Sequence, residues 1–315
     1  MRISGVTFAV RKTHKTRNIV LTAVILLLLA VLAIVIISAY QGWNLLHPDK
    51  KDLDTFSSNI VPEYRDISFR GTDSKLVLQG WLFPAKNSDR TVIMAHSYGR
   101  NRLEFGVQSI DMIKFFMNKG YNVFTFDFRN SGRSEGEEST LGYNEKADLL
   151  GAINYVKQQG HKHIVLLGFS TGASTSILAA AESKNVDAII ADTPYSDLGG
   201  YLEESLNKKT HLPAFPFNKT IPISMEIMGG IDAASTSPIN SLKELPPAWL
   251  LLIHGQRDAE IPVENSRRLY TAYSKLNPGK TELWETDAEG SNGSYAAYPE
   301  RYLEKLSSFL SQVYP

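Results

Sequence analysis

The pentapeptide Gly168-Phe169-Ser170-Thr171-Gly172 has the spacing G-x-S-x-G. It closes the apolar run HIVLLGF and leads into the helix-forming run ASTSILAAA. A sharp strand-to-helix turn forces its central residue into a strained conformation, which lifts the Ser170 hydroxyl clear of the backbone. The flanking glycines leave room for the close approach that such a turn requires. Amides opening the following helix point at the same spot, where they can stabilise an oxyanion. The chemistry implied is attack of a serine oxygen on a carbonyl carbon. A chain without cysteine has no thiol nucleophile, thiolate metal site or disulfide. No H-E-x-x-H spacing occurs and the glycines around Ser170 match no phosphate-binding loop, so neither a metal nor a nucleotide cofactor is expected.

The elements that would hold this turn are legible as alternation. Strand-like runs cover Tyr64–Arg70, Leu76–Phe83, Thr91–His96, Tyr121–Asp127, Ile164–Phe169, Ala188–Asp192, Ala248–His254 and Glu282–Thr286. Helix-like stretches cover Leu103–Asn118, Asn144–Gln159, Thr171–Ser183, Val263–Lys275 and Pro299–Val313. Strands alternating with helices imply right-handed crossovers and a mostly parallel sheet with both faces covered. The first two strands, joined by the short turn Gly71–Ser74, read as an antiparallel hairpin. Between Tyr195 and Pro247 the alternation fails amid six prolines, which predicts a lid at about 197–245.

Composition separates the two ends of the chain. Of 315 residues, 43% are hydrophobic, enough for a large core, and 33 basic residues balance 33 acidic ones. That balance argues against a nucleic-acid partner. Residues 1–40 hold five basic residues and no acidic one, which leaves 28 basic and 33 acidic residues, a charge of −5, in 41–315.

From Ile19 to Ala39 the only polar residues are Thr22 and Ser38. Twenty-one helical residues span about 31 Å, close to the hydrocarbon thickness of a bilayer. A cleaved signal peptide is the competing reading, but its apolar region is normally shorter. An uncleaved signal-anchor is therefore expected, with the basic stretch 1–18 cytoplasmic, a linker over 40–61 and the remaining domain, 62–315, outside the cytoplasm.

Several segments besides the turn now carry a family likeness. His96-Ser97-Tyr98-Gly99 follows the third strand, Asp127-Phe128-Arg129-Asn130-Ser131-Gly132-Arg133-Ser134 follows the fourth, and LLLIHGQRDAEIP carries a strand ending in an acid. Together they resemble the α/β-hydrolase superfamily over roughly 62–313, nearest to a membrane-anchored bacterial esterase/peptidase-like branch. The resemblance implies a mostly parallel eight-stranded sheet flanked by helices, with Ser170 as nucleophile and an ester, thioester or amide as acyl substrate. It also implies an oxyanion hole from the amides of Thr171 and Tyr98, with Ser97 where the family usually has glycine, and Asp258 as the triad acid. A solvated loop carboxylate beside Arg257 is the plain alternative for Asp258, and Glu260 is a poorer candidate. Asp127 and Arg129 are expected to pin their turn as a buried pair, and Tyr98, Phe169 and Tyr195 to line an acyl pocket or simply to pack its wall.

The family triad runs serine, acid, histidine along the chain. The helix opening Tyr298-Pro299-Glu300 puts the expected histidine at Gly290 or Ser291, and no histidine follows His254. His96 and His254 are expected in structural loop roles, His161 and His163 at the far end of the sheet, and His211 in the lid. Asp287 or Glu289 would be a poor base for a serine hydroxyl. Losing one triad member typically lowers kcat by about 10⁴–10⁶. Two functions follow: a slow serine hydrolase, or a pseudohydrolase that binds a ligand or partner.

Overall fold

The computed structural model describes residues 14–54, 58–73 and 75–315. Most of the basic stretch 1–18, and Ser74 of the first hairpin turn, thus lie outside the described residues.

Eight strands form one sheet: β1 (Arg65–Arg70), β2 (Val77–Phe83), β3 (Arg90–Ala95), β4 (Asn122–Phe126), β5 (His163–Phe169), β6 (Ala188–Asp192), β7 (Trp249–Arg257) and β8 (Thr281–Glu289). Their order is β1-β2-β4-β3-β5-β6-β7-β8. Both contacts of β2 are antiparallel and every later pairing is parallel. The hairpin and the parallel sheet expected from alternation are both present.

Strand β5 shows why its run reads as continuously apolar. Ile164 and Leu166 enter one core cluster, Val165, Leu167 and Phe169 the other, so both faces of the strand are buried. The first cluster lies under α3 (Glu145–Gln158), α4 (Thr171–Glu182), α7 (Pro238–Ser241) and α8 (Glu264–Leu276). The second lies under α2 (Gln108–Asn118) and α10 (Pro299–Val313). The prolines between β6 and β7 separate α5 (Leu198–Thr210), α6 (Ala214–Gly229) and α7, and a third cluster is buried beneath α5 and α6.

The expectations shift in four places. Helix α2 begins at Gln108 rather than Leu103, because Gly106 turns through φ 57 and the Glu104 side chain bonds back to Ser97. Strands β7 and β8 continue past the expected ends, pairing Arg257 with Glu289 across a register shift, with an ion pair of 2.9 Å. A short helix, α9 (Gly293–Ala297), lies in the loop before α10. The apolar N-terminal helix, α1 (His14–Leu46), runs through the first residues of the expected linker. It does so because Gly42 and Leu46 bury one face of that stretch against α6.

Candidate active site

Ser170 closes β5 and caps α4 with φ 51 and ψ −115, a conformation that an L-residue rarely adopts. Its amide donates to the Asp192 carbonyl at 2.8 Å, which clamps the turn to the neighbouring strand. A Cβ on Gly168 would strike the Gly172 carbonyl, and one on Gly172 the carbonyls of Ala95 and His96. Both glycines are therefore required by the backbone around them. The Ser170 hydroxyl makes no hydrogen bond among the described residues and faces a cleft of about 530 Å³.

Tyr98, Thr171 and Ser291 line the same cleft. The amide of Thr171 opens α4 and has no carbonyl to bond within its own helix. The Tyr98 amide is engaged: it donates to Thr171 Oγ1 at 2.7 Å. One of the two amides expected to hold an oxyanion is thus occupied by a side chain of the turn itself.

Asp258 is buried after β7, its Oδ1 accepting from the amides of Glu260 and Ile261 at 2.8 and 2.9 Å. Its Oδ2 accepts from Ser291 Oγ at 3.1 Å. The solvated alternative is wrong for Asp258, while Arg257 turns to Glu289 and the Asp287 carbonyl instead. Ser291 therefore holds the place between acid and cleft in which an imidazole was expected. Gly290 has φ 73 and is not part of the cleft wall.

The histidines stand elsewhere. His96 Nδ1 donates to the Ser97 carbonyl at 2.8 Å and its Nε2 accepts from the Phe128 amide at 2.9 Å. His254 Nε2 donates to the Ile261 carbonyl at 2.8 Å while Nδ1 meets Ser266 Oγ at 2.7 Å. Burial lowers the pKa of both, so they serve as neutral loop pins. His211 caps α5 with φ 57 and is exposed, away from the cleft wall. His161 and His163 sit at the opposite end of the sheet, on Thr91 and Asp187. The Tyr298 hydroxyl bonds Asp287 and lowers its pKa, which makes its carboxylate a weaker base.

The expected Asp127–Arg129 pair is not formed. Asp127 is bonded by Arg102 at 2.6 Å, and Arg129 bonds Asp148 at 2.8 Å, so each end of the turn is pinned by a different helix or loop. Of the three aromatics, Tyr98 alone lines the cleft. Phe169 packs in the core beside Phe105, and Tyr195 is fully buried with its hydroxyl on the Leu141 carbonyl.

Two site residues escaped the sequence. Buried Glu104 accepts from Ser97 N and Oγ (2.8 and 2.7 Å) and from Asn292 Nδ2 at 3.0 Å. Asn292 Oδ1 is buried without a partner among the described residues, at the cleft wall. The one signal for Glu104 was an acid inside an apolar stretch, and for Asn292 an Asn-Gly pair, which favours positive φ. Asn218 and Asn292, which open the N-x-S/T triplets Asn218-Lys219-Thr220 and Asn292-Gly293-Ser294, are both buried, which keeps them from the surface where glycosylation acts.

A family model for the alpha/beta hydrolase fold matches residues 90–220. Among solved structures, the Pyrococcus furiosus esterase Pf2001 superposes with a TM-score of 0.70 at 28% identity, covering 85% of this chain and 98% of that one. The uncharacterized protein YqkD of Bacillus subtilis is 27% identical over 240 residues, 75% of this chain and 76% of its own. The lysophosphatidylserine lipase ABHD12 of Danio rerio is 27% identical over 216 residues, 64% of this chain and 53% of its own.

Proposed function

Since the chain belongs to the α/β-hydrolase superfamily, we propose that it is a membrane-anchored serine hydrolase acting slowly on an ester, thioester or amide through a Ser170 acyl-enzyme. The observation that carries this reading is the Ser170 hydroxyl, which has no hydrogen-bond partner among the described residues and sits at a strained turn on the cleft wall beside the opening amide of α4. Its oxygen bonds the carbonyl carbon, and the carbonyl oxygen takes the negative charge against the Thr171 amide. The hydroxyl proton passes to water in the cleft, since no imidazole lines it among the described residues. Collapse of that intermediate breaks the bond to the leaving alcohol, thiol or amine, which takes the proton back from the water. A second water then adds to the acyl carbon, and the acid departs as the Ser170 oxygen regains a proton. An esterase and a lipase among the relatives support carbonyl chemistry of this kind. The helix α1 serves as an uncleaved anchor, with Leu46 seated in the cluster beneath the lid and the hydrolase domain outside the cytoplasm.

Fluorophosphonate labelling of the full chain tests the nucleophile. Ser170 is expected to take the label and Ser170→Ala to abolish it. An unlabelled, folded protein beside a labelled control hydrolase would overturn the assignment.

A pseudohydrolase is the second reading, favoured by Thr171 Oγ1 on the Tyr98 amide and by Ser291 on Asp258. Both groups that should stabilise or relay charge are engaged with hydroxyls. Full-rate ester hydrolysis that vanishes in Ser170→Ala would refute it.

A further inference from the structure

Helix α1 meets the domain before its apolar run ends. Ile34 is half-buried, and Ser38, Gly42 and Leu46, each four residues on, are buried along one face of α1. What covers that face is the lid helix α6. Ser38 Oγ meets Thr220 Oγ1 at 2.7 Å, and Ser224 Oγ donates to the Ser38 carbonyl at 2.8 Å. A Cβ on Gly42 would strike Ser224, and one on Gly229 would meet Leu46 at 2.9 Å. Thr220 beside Ser38 and Gly229 beside Leu46 set the two helices parallel. Ile34 lies about 8 Å inside the apolar boundary at Ala39, taking 1.5 Å per residue. The N-terminal tip of α6 is therefore carried alongside the apolar run of α1.

The outer surface of α6 suits that position. Phe215, extended ahead of Pro216 (φ −99, ψ 131), is 85% exposed at the tip. Ile223 and Ile227 are 54% and 77% exposed and form one stripe at i, i+4. On the helical wheel that stripe adjoins the α1-facing Thr220, Ser224 and Met228, so it continues the apolar surface of the anchor itself. The charged Lys219 and Glu226 come next, turned away from α1. A helix with an apolar stripe and a charged one, fixed at the depth where a spanning helix emerges, has the properties of an interfacial element.

We propose that α6 is a second membrane-contacting element, which seats Phe215, Ile223 and Ile227 in the lipid interface and holds the Ser170 cleft against the bilayer. The proposal rests on the anchor reading above and adds the source of the substrate: an amphipathic acyl compound presented at the lipid surface. The cleft is tied to this element through α5 and to the anchor helix through Tyr98. Tyr201 and Lys209 of α5 line it, and α5 is bonded to α6 through Asn218 Nδ2 and the Glu203 carbonyl at 2.6 Å. Tyr98, whose amide meets Thr171, donates its hydroxyl to the Leu45 carbonyl of α1 at 2.7 Å.

The cysteine-free chain permits a direct test. Full-length single-cysteine variants Phe215→Cys, Ile223→Cys and Ile227→Cys are labelled with the fluorophore NBD and reconstituted in phosphatidylethanolamine/phosphatidylglycerol vesicles containing nitroxide-labelled lipid. Leu28→Cys reports the anchor and Lys184→Cys the far end of the domain. Lipid quenching is expected at all three lid positions, deepest at Phe215 and shallowest at Ile227, with quenching at Leu28 and none at Lys184. Quenching at Leu28 with lid labels as wet as Lys184 would overturn the proposal while sparing the anchor. An unquenched Leu28 would remove the anchor reading and this inference with it. An Ile227→Cys disulfide between copies, without lipid quenching, would assign the face to a second copy and overturn the proposal equally.

Discussion

Ser291 Oγ donates to Asp258 Oδ2 across 3.1 Å, so the acid that should orient an imidazole holds a hydroxyl instead. The contact separates two positions that looked equivalent in the sequence. Ser291 reaches both the acid and the cleft wall, whereas Gly290 adopts φ 73, where any side chain is strained. Ser291→His is therefore expected to raise hydrolysis of p-nitrophenyl acetate by at least about a hundredfold, given the cost of a missing triad member. Gly290→His should bring little. No gain from Ser291→His would show that the remaining geometry cannot use a base.

The strain at Ser170 yields a stability prediction. Its hydroxyl has no partner among the described residues, and its φ of 51 with ψ −115 is a conformation that glycine adopts freely. Ser170→Gly should stabilise the fold by about 1–3 kcal/mol, the usual cost of such a conformation. Thermal unfolding measures it, and a lowered Tm would mean that the turn stores no strain.

Thr171 can be separated from its neighbour. Thr171→Val keeps the shape but removes the oxygen that accepts from the Tyr98 amide. Freeing that amide for an oxyanion should speed fluorophosphonate labelling of Ser170 by about 5- to 30-fold, the equivalent of one or two kcal/mol for a hydrogen bond. A slower reaction would mean that the threonine hydroxyl positions the amide rather than blocking it.

Stability should carry a pH signature from Asp192. Its carboxyl is fully buried and, among the described residues, is bonded only by hydroxyls, Tyr302 at 2.9 Å and Thr193 at 3.1 Å. Burial pushes its pKa from the usual 3.8 up to about 7. The folded state thus keeps a proton that the unfolded chain loses. This group's contribution is complete below pH about 4, declines as pH rises, and is gone above about 7, with a ceiling of about 4 kcal/mol. Asp192→Asn should flatten that decline in denaturant titrations across the same window. An unchanged slope would mean that Asp192 is ionised throughout.

The sequence by itself determined the elements and the strained turn, because each depends on near neighbours. Apolar runs such as HIVLLGF announce strands buried on both faces, and Gly168 and Gly172 announce a turn too tight for any Cβ. An absence was legible as well: no histidine follows His254, and the structure places none at the cleft wall among the described residues. Tertiary structure alone decided who meets whom. Arg102 takes Asp127, Thr171 Oγ1 takes the Tyr98 amide, Glu104 joins Ser97 to Asn292, and Leu46 enters the cluster under the lid. These partners come from loops and helices far apart in the chain. Each buried polar group takes whichever complementary group the packed elements bring within about 3 Å, and no local pattern records that choice.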